Sequence, residues 1–468
     1  MTEQDIDRAL REWQRGDASL TRRLLLREAW QELTDESLID QLVELALIAG
    51  EENTALHLLQ MPIDRTPTNG KAWMRKGQVL RRRNRPEEAL PYLEKAYSLE
   101  PNNPDTAYEW AMALEDTQRY TKALQVAQSA LTQHPNDIDL LNLTAGNYAN
   151  LGKPELAIPL YVQALHREPE HHALAFNLAQ ALLQHGNWQE GWRFFDYRLL
   201  LRPPDRRPRT TARLWQGDPL AGKSILIWQE QGFGDTIQFM RFLPLLWQQG
   251  AQVVLLVHPQ LIRLSTYNFP CLTVVDQRTD PPPTDYQLPI LSLARRLGLE
   301  QPDQLTGEPY LRAPSQPQLP ATAKKRIGLV WAGNPNHPDD HRRSIPPDEL
   351  APLLTFPQYH FYSFQVGRQE WASSQDAVTD LQPQLTDFLA TAGLLRQMDL
   401  VVTVDTAVAH LAGALGRPVW LLLDQAADWR WGAKGQGPNW YASMRLFRQQ
   451  KPGDWTTLVQ TVVNQWAV

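Results

Sequence analysis

Two short segments combine a carboxylate with small residues at the expected start of a helix. In the first, residues 230–238 (EQGFGDTIQ), Gly234 and Asp235 follow a short apolar run. Glycines let backbone amides approach a ligand, and a helix N-terminus favours anions. The spacing is not the dinucleotide fingerprint, because its third glycine is absent. Asp235 is interpreted either as a helix cap or as a general base in a cleft. The two interpretations are compatible if capping holds the carboxylate in place.

The second segment, residues 402–413 (VTVDTAVAHLAG), places Asp405 at the end of a predicted strand and Thr406 at the start of a helix. The free amides of that first turn can hold a phosphate. His410 lies one turn further along and shares a helix face with Thr406. The alternative is structural, with Asp405 as an ordinary N-cap and His410 as a core histidine.

A third polar segment, residues 331–344 (WAGNPNHPDDHRRS), follows another predicted strand. Arg343 and its neighbour Arg342 can form forked contacts with phosphate, and Asn334 and Ser344 offer hydrogen bonds. Its histidines raise the alternative of a metal site. We disfavour that alternative, because the histidines lack helical spacing and no cysteine lies nearby.

A fourth segment, residues 428–431 (DWRW), combines aromatic side chains with an arginine. Such groups stack on a sugar or a base, or they seal a hinge between lobes. We favour the hinge.

The elements that must position these segments differ between the two halves of the chain. Small residues and prolines recur every 34 residues in the first half, which is typical of tetratricopeptide (TPR) repeats and predicts a right-handed solenoid. Such a solenoid is either a spacer or a groove that holds a peptide or a partner protein. The recurring positions are Gly77, Ala111, Ala145 and Ala179; Ala89, Ala123, Ala157 and Gly191; and Pro101, Pro135, Pro169 and Pro203.

Short apolar runs alternate with amphipathic segments in the second half, which predicts parallel sheets built from βαβ units. A stretch rich in Pro and Gln divides them into two Rossmann-like lobes, so a ligand is expected between the lobes at the carboxyl ends of the strands. Strands are predicted at residues 224–228, 252–257, 272–276, 326–332, 360–365, 400–404 and 419–423, and helices at 235–249, 347–354, 391–398 and 406–415.

These patterns predict seven segments and an α + α/β fold class. They are a helical cap (1–35), TPR repeats (36–203), a basic Pro/Arg linker (204–222), a first lobe (223–312), an interlobe linker (313–325), a second lobe (326–450) and a C-terminal helix (451–468).

Composition excludes several classes of protein. The net charge of −6 argues against a general nucleic-acid binder. A single cysteine, Cys271, excludes an intrachain disulfide framework and a Cys-based zinc site. The polar N-terminus is no secretory signal, and the most apolar stretch carries too many charges for a membrane span. A cytoplasmic location is therefore expected.

The second half resembles glycosyltransferases of the lipopolysaccharide heptosyltransferase type. With the repeats in front, the chain resembles bacterial TPR glycosyltransferases, which are similar to the eukaryotic O-GlcNAc transferases and the SPINDLY fucosyltransferases. The matching strings lie in a consistent order at residues 230–239, 330–335, 343–344, 387–391, 404–416 and 428–431.

The resemblance implies a GT-B fold, with the acceptor on the first lobe and the nucleotide-sugar on the second. It implies that Asp235 is the general base and that inversion at the anomeric carbon is the outcome. It further implies that no cofactor or metal is needed. The donor-binding residues that it implies are Gly234, Asn334, Arg343, Ser344, Gln365, Asp387, Asp405, Thr406, Ala407 and His410, with the phosphates at the start of the helix that bears His410 and the base and ribose near Gln365 and Asp387.

Three hypotheses follow for the function. The first is sugar transfer to a peptide or protein hydroxyl, with the repeats presenting the acceptor or recruiting a partner. The second is transfer to a glycan, with the repeats docking an assembly complex. The third is a TPR scaffold that carries an inactive glycosyltransferase-like domain.

Overall fold

The computed structural model describes residues 2–26, 30, 33–201, 207–337, 339–368 and 370–466. Parts of the predicted cap (27–29 and 31–32) and of the basic linker (204–206), together with the end of the repeat segment (202–203), lie outside this range. The chain forms two compact units, residues 1–150 with 159–168 and residues 151–158 with 169–468. Among the described residues, no helix is both long enough and apolar enough to span a membrane.

The first unit is helical, and its helices from α3 to α9 alternate between 13 and 14 residues. The 34-residue repeat places small residues where helices cross. A Cβ at Gly77 would lie 2.4 Å from Leu93 Cγ, so α5 and α6 approach closely only because Gly77 has no side chain. The helices are α1 Glu3–Gln14, α2 Ser19–Leu24, α3 Glu36–Ile48, α4 Glu52–Arg65, α5 Gly70–Arg82, α6 Pro86–Leu99, α7 Pro104–Asp116, α8 Tyr120–Gln133 and α9 Ile138–Asn150; α10 Pro154–Arg167 has residues in both units.

The second unit contains two sheets in which every strand pair is parallel. The strand orders are β1-β5-β2-β3-β4 and β11-β10-β9-β6-β7-β8. The strand order therefore reverses at β2 in the first sheet and between β6 and β9 in the second, and ligands favour such positions. The strands are β1 Arg213–Leu214, β2 Ser224–Trp228, β3 Gln252–Val257, β4 Thr273–Asp276, β5 Tyr286–Pro289, β6 Lys325–Val330, β7 Tyr359–Ser363, β8 Val378–Asp380, β9 Leu400–Val404, β10 Val419–Leu423 and β11 Met444–Arg448.

Twelve further α-helices lie among the described residues of the second unit, and the first of them belong to its core. Trp188 and Trp192 of α12 are buried in the same apolar cluster as Ile227 of β2 and Leu421 of β10. The helices are α11 His172–His185, α12 Trp188–Phe195, α13 Arg198–Leu201, α14 Phe233–Phe239, α15 Leu243–Gln248, α16 Pro259–Asn268, α17 Leu293–Arg296, α18 Asp340–Arg343, α19 Glu370–Ser373, α20 Phe388–Leu395, α21 Ala407–Ala414 and α22 Trp455–Trp466.

Several predicted elements differ from the structure. The helix predicted over 235–249 begins two residues earlier and is interrupted by a 3-10 turn at Met240–Phe242, and the helix predicted over 347–354 is a 3-10 helix, Pro347–Thr355. Pro352 lies inside that helix and lacks the N–H that a regular α-helix requires. The short strands β1, β5, β8 and β11 were not predicted, and β1 lies within the predicted linker but pairs with β5.

Candidate functional site

The turn after β2 holds Asp235 against its own backbone. Helix α14 begins at Phe233 with Gly232 as its N-cap, so Asp235 is the third residue of the helix and not its N-cap. The Asp235 Oδ2 accepts a hydrogen bond of 2.8 Å from the Gly232 N–H. One carboxylate oxygen therefore fixes the start of the helix.

The other oxygen of Asp235 accepts a hydrogen bond from the Arg430 guanidinium. Arg430 is buried and also donates to Gln238 and Asp428, each at 2.8 Å. Burial lowers the pKa of Arg430, because it disfavours the charged guanidinium. The carboxylates of Asp428 and Asp235 have the larger, opposite effect, so the pKa of Arg430 is raised overall. The sequence predicts that the DWRW segment seals a hinge, and the structure shows that its arginine pairs with the candidate base.

The turn after β9 leaves the first amides of α21 without an internal partner. The N-cap is Thr406 and not Asp405, and its side chain makes no capping hydrogen bond. The N–H groups of Ala407 and Val408 have no acceptor within an eight-residue helix that begins at Ala407. This turn can bind an anion.

Asp405, just before this helix, lies in an environment that disfavours charge. Burial and the nearby Asp428 carboxylate raise the pKa of Asp405 to about 6, against the opposing effects of Trp431, Arg343 and Arg430. A carboxyl group with such a pKa is partly protonated near neutral pH, which reduces its repulsion of a bound anion.

His410 is held as a neutral, oriented side chain. Burial, together with Arg430 and Arg241, places the pKa of His410 well below its usual value. Its Nδ1 lies 3.0 Å from the Tyr441 hydroxyl, and its ring stacks on Trp431 at 5.3 Å. Its Nε2 lies 3.7 Å from Asp405 Oδ1, a contact with a neutral imidazole. The burial of His410 agrees with the alternative of a core histidine, and its role in a donor site stays a prediction.

The two turns meet at Gly234. A Cβ at this position would lie 2.7 Å from His410 Cδ2 and 3.4 Å from Ala407 Cα. The glycine thus lets the start of α14, from the first sheet, contact the start of α21, from the second. The candidate base and the candidate anion site are neighbours in the folded chain.

The loop after β6 brings a positively charged side chain, Arg343, near Asp405. The Arg343 guanidinium packs on Gly333, where a Cβ would lie 2.7 Å from Nη2. The Arg343 Nε is buried and makes no hydrogen bond within the chain, and its charge favours ionisation of Asp405. Arg342 instead anchors the loop, because it donates to Asp424 at 3.2 Å.

Two other predicted residues of this loop have structural partners. Asn334 is exposed, and its Oδ1 accepts from the Asn336 N–H at 3.0 Å. Ser344 Oγ accepts from the Gly333 N–H at 3.2 Å and donates to Asp340 at 2.8 Å. Both shape the loop that presents Arg343.

Gln365 and Asp387, predicted near the base and ribose, also have partners within the chain. The buried Gln365 Oε1 accepts from the N–H groups of Trp331 and Ala332 at 3.2 and 3.0 Å, which joins the ends of β6 and β7. Asp387 caps α20 through the Ala390 N–H and pairs with Arg263 of α16 at 2.7 Å. Neither side chain contacts Gly234, Ala407 or His410 through any of these bonds.

Sequence reasoning missed the groups that connect the motifs. A buried arginine in DWRW signals that a carboxylate partner must exist, but nothing in the sequence identifies Asp235, which precedes it by 195 positions. Tyr441 follows the DWRW segment in the sequence, but its pairing with His410 was not predicted. Among the described residues, no cluster of three or more His, Cys, Asp or Glu side chains is arranged to hold a metal ion.

Comparisons with protein families cover separate parts of the chain. Residues 51–171 match the TPR domain of cytochrome c-type biogenesis protein H, and residues 150–196 match a tetratricopeptide repeat model. Residues 366–435 match glycosyltransferase family 9 (heptosyltransferase), a range that includes Asp387 and the turn that bears Asp405, Thr406, Ala407 and His410. The TPR prediction is confirmed, and the chain is glycosyltransferase-like over residues 366–435.

The chain is also similar to Protein FlbA of Caulobacter vibrioides. The two are 25% identical over 482 aligned positions, which cover 87% of this chain and 80% of that protein. Among solved structures, MamA of Desulfovibrio magneticus (18% identical, TM-score 0.31) is matched over 35% of this chain and 92% of its own. A TPR protein of Thermus thermophilus (21% identical, TM-score 0.30) is matched over 39% and 98%.

Proposed function

We propose that this protein transfers a sugar from a nucleotide-sugar to a hydroxyl acceptor. The two sheets would form a GT-B fold, with the acceptor on the first and the donor on the second. One observation carries the proposal: the turn that bears Asp235 contacts the turn whose free amides begin α21, through Gly234. A candidate base and a candidate anion site, each from a different sheet, therefore lie next to each other.

The start of α21 would bind the diphosphate of the donor. Its free amides and the helix dipole favour an anion, and Arg343 adds a full positive charge. These groups are in place before the reaction, so they would stabilise the charge that develops on the leaving diphosphate. This supply of donors is the reason that we propose a metal-independent reaction.

Asp235 would act as the general base. It would accept the proton of the acceptor hydroxyl while the hydroxyl oxygen bonds to the anomeric carbon. The bond from that carbon to the diphosphate oxygen breaks in the same step, and the nucleoside diphosphate leaves with the electron pair. A single displacement of this kind inverts the anomeric configuration.

The acceptor would be a hydroxyl of a peptide, a protein or a glycan. The TPR repeats would recruit this acceptor or a partner protein, because repeats of this kind expose extended surfaces.

A competing function is a scaffold with an inactive domain. One observation favours it, since both oxygens of Asp235 already accept hydrogen bonds, from Gly232 and from Arg430.

Thermal unfolding in the presence of UDP, GDP, ADP, TDP or CMP, with and without a chelator, separates the two functions. A nucleotide at about 100 times its Kd stabilises the native state by ~2.7 kcal/mol. For a unit of this size that is a rise of about 4 °C in the midpoint. One selective rise that persists in chelator supports the transferase and identifies the donor class. No rise with any nucleotide supports the scaffold.

A further inference from the structure

Two helices that precede the first sheet in the sequence, α11 and α12, contact the DWRW segment directly. The Gln184 Nε2 of α11 donates to the Ala427 carbonyl at 2.8 Å. The Gln184 carbonyl accepts from the Ala433 N–H at 3.0 Å. One residue therefore holds both ends of the segment 428–432, and it is almost fully buried.

Aromatic side chains of α12 hold the middle of the same segment. Trp192 and Phe195 meet the Trp429 ring edge-on at 5.3 and 5.5 Å. Trp188 stacks on Trp440 at 5.3 Å. All of these rings are buried, so Trp429 has little freedom to shift.

The segment in turn determines where Arg430 lies. The Arg430 guanidinium packs over the Trp429 ring at 4.3 Å, and its backbone N–H donates to Asp428 at 2.9 Å. From this position it donates to Asp235 of α14. A continuous set of contacts therefore runs from Gln184 through Arg430 to the candidate base.

We propose that Gln184 is a positioning residue for Asp235 and acts through the segment 428–432 and Arg430. The helical pair α11–α12 then contributes to catalysis by positioning the base, although its sequence continues the TPR pattern. This inference rests on the proposed function only in taking Asp235 as the base. The geometric coupling between Gln184 and Asp235 holds whatever the reaction is.

The kinetic test uses the full chain with Gln184→Ala and with Gln184→Glu, which keeps the shape of the side chain but loses its donor. A small displacement of a reacting group can lower the rate by about 100-fold, so we expect kcat to fall ~10–100-fold while donor KM changes less than about twofold. Gln189→Ala is the matched control, because Gln189 lies in α12 but its amide faces the exposed Glu300 at 3.4 Å.

Non-additivity separates positioning from loss of fold. If Gln184 acts through Arg430, Gln184→Ala should not slow the Arg430→Met variant any further. Multiplied losses, or equal losses in Gln184→Ala and Gln189→Ala, would overturn the proposal.

Hydrogen exchange tests the coupling without any activity. Gln184→Ala should speed exchange in peptides that cover residues 427–433 and also residues 230–235, where the Gly232 N–H is bonded to Asp235. Unchanged exchange at 230–235 contradicts the proposal. Faster exchange there in a protein that shows no transfer with any nucleotide-sugar supports the coupling and rejects the proposed function instead.

Discussion

The turn after β2 and the turn after β9 have similar sequences and different chemistry. Each places an aspartate near the start of a helix that leaves a parallel sheet. Asp235 bonds to the Gly232 amide and to the Arg430 guanidinium, whereas the half-buried Asp405 lies near another carboxylate and a neutral histidine. The surroundings, and not the local motif, thus separate a candidate base from a candidate anion site.

The largest expected effect comes from removing the carboxylate of the first turn. Asp235→Asn should lower kcat by about 1,000-fold, within the range of general-base catalysis, because the asparagine cannot take the hydroxyl proton. Donor affinity should remain, since the second turn is unchanged. Steady-state kinetics and calorimetric titration of the nucleotide measure the two quantities.

Asp285→Asn is the control for this variant. Asp285 accepts a hydrogen bond from the Ser224 N–H at 2.8 Å, at the opposite end of the strand that leads to Asp235. If Asp235→Asn retains wild-type turnover, Asp235 is not the base and the two turns do not differ in the way described.

The next effect tests the cation beside the second turn. Arg343→Met should weaken nucleoside diphosphate binding by ~10–100-fold, because a hydrogen bond to a charged group contributes about 1.5–3 kcal/mol. Arg417→Met is the control, since Arg417 lies beyond the other end of α21 and donates to the Arg396 carbonyl at 3.1 Å. Equal Kd values for the two variants in calorimetric titration would place the anion elsewhere.

A third prediction concerns the contact between the turns. Gly234→Ala places a methyl group against His410, which cannot retreat because Tyr441 and Trp431 hold it. We expect a loss of ~1–3 kcal/mol in the free energy of unfolding, seen as a lower midpoint in thermal unfolding. Gly146→Ala is the control, because its methyl would lie 3.8 Å from the Tyr161 hydroxyl in an ordinary contact within a helix.

The control should change stability in the opposite direction. Alanine is favoured over glycine by about 1 kcal/mol inside a helix, so Gly146→Ala should leave the midpoint unchanged or raise it. A midpoint that is unchanged in Gly234→Ala would mean that the two turns do not pack as closely as the structure shows.

A fourth prediction concerns the charge of Asp405. The folded pKa of about 6 lies above the usual 3.8, so the protonated group stabilises the fold at low pH, and this stabilisation is lost as the pH rises through 6. Asp405→Asn should match the wild type near pH 4 and exceed its stability by about 2 kcal/mol near pH 7.5. Thermal unfolding at both pH values measures the difference.

Asp280→Asn serves as the control for this pH dependence, because Asp280 is exposed. A difference between Asp405→Asn and the wild type that stays the same at both pH values would show that folding does not raise the pKa of Asp405. The two aspartates would then not differ in charge state.

Secondary-structure elements and local turns of this molecule are easier to predict from the sequence than the tertiary contacts between them. The 34-residue spacing predicts the repeats, and the apolar runs locate β2, β9 and β10 at their observed residues. Local turn chemistry also predicts that Gly234, Asp235 and Asp405 lie near the starts of helices. Local patterns suffice here because each depends on neighbours within one helix or strand.

The connections depend on tertiary packing. The pairing of Arg430 with Asp235, the Gln184 contacts with residues 427 and 433, and the partners that occupy Gln365 and Asp387 join residues far apart in sequence. No local periodicity encodes such pairs. The short strands β1 and β8 are also set by their neighbours, since two or three residues show no period of their own.

The most direct test of the account is a crystal structure of the full chain with the nucleoside diphosphate selected by thermal unfolding. We expect the diphosphate at the amides of Ala407 and Val408, in contact with Arg343 and facing Asp235. A nucleotide bound among the TPR helices, or on the second unit away from α21, would contradict it.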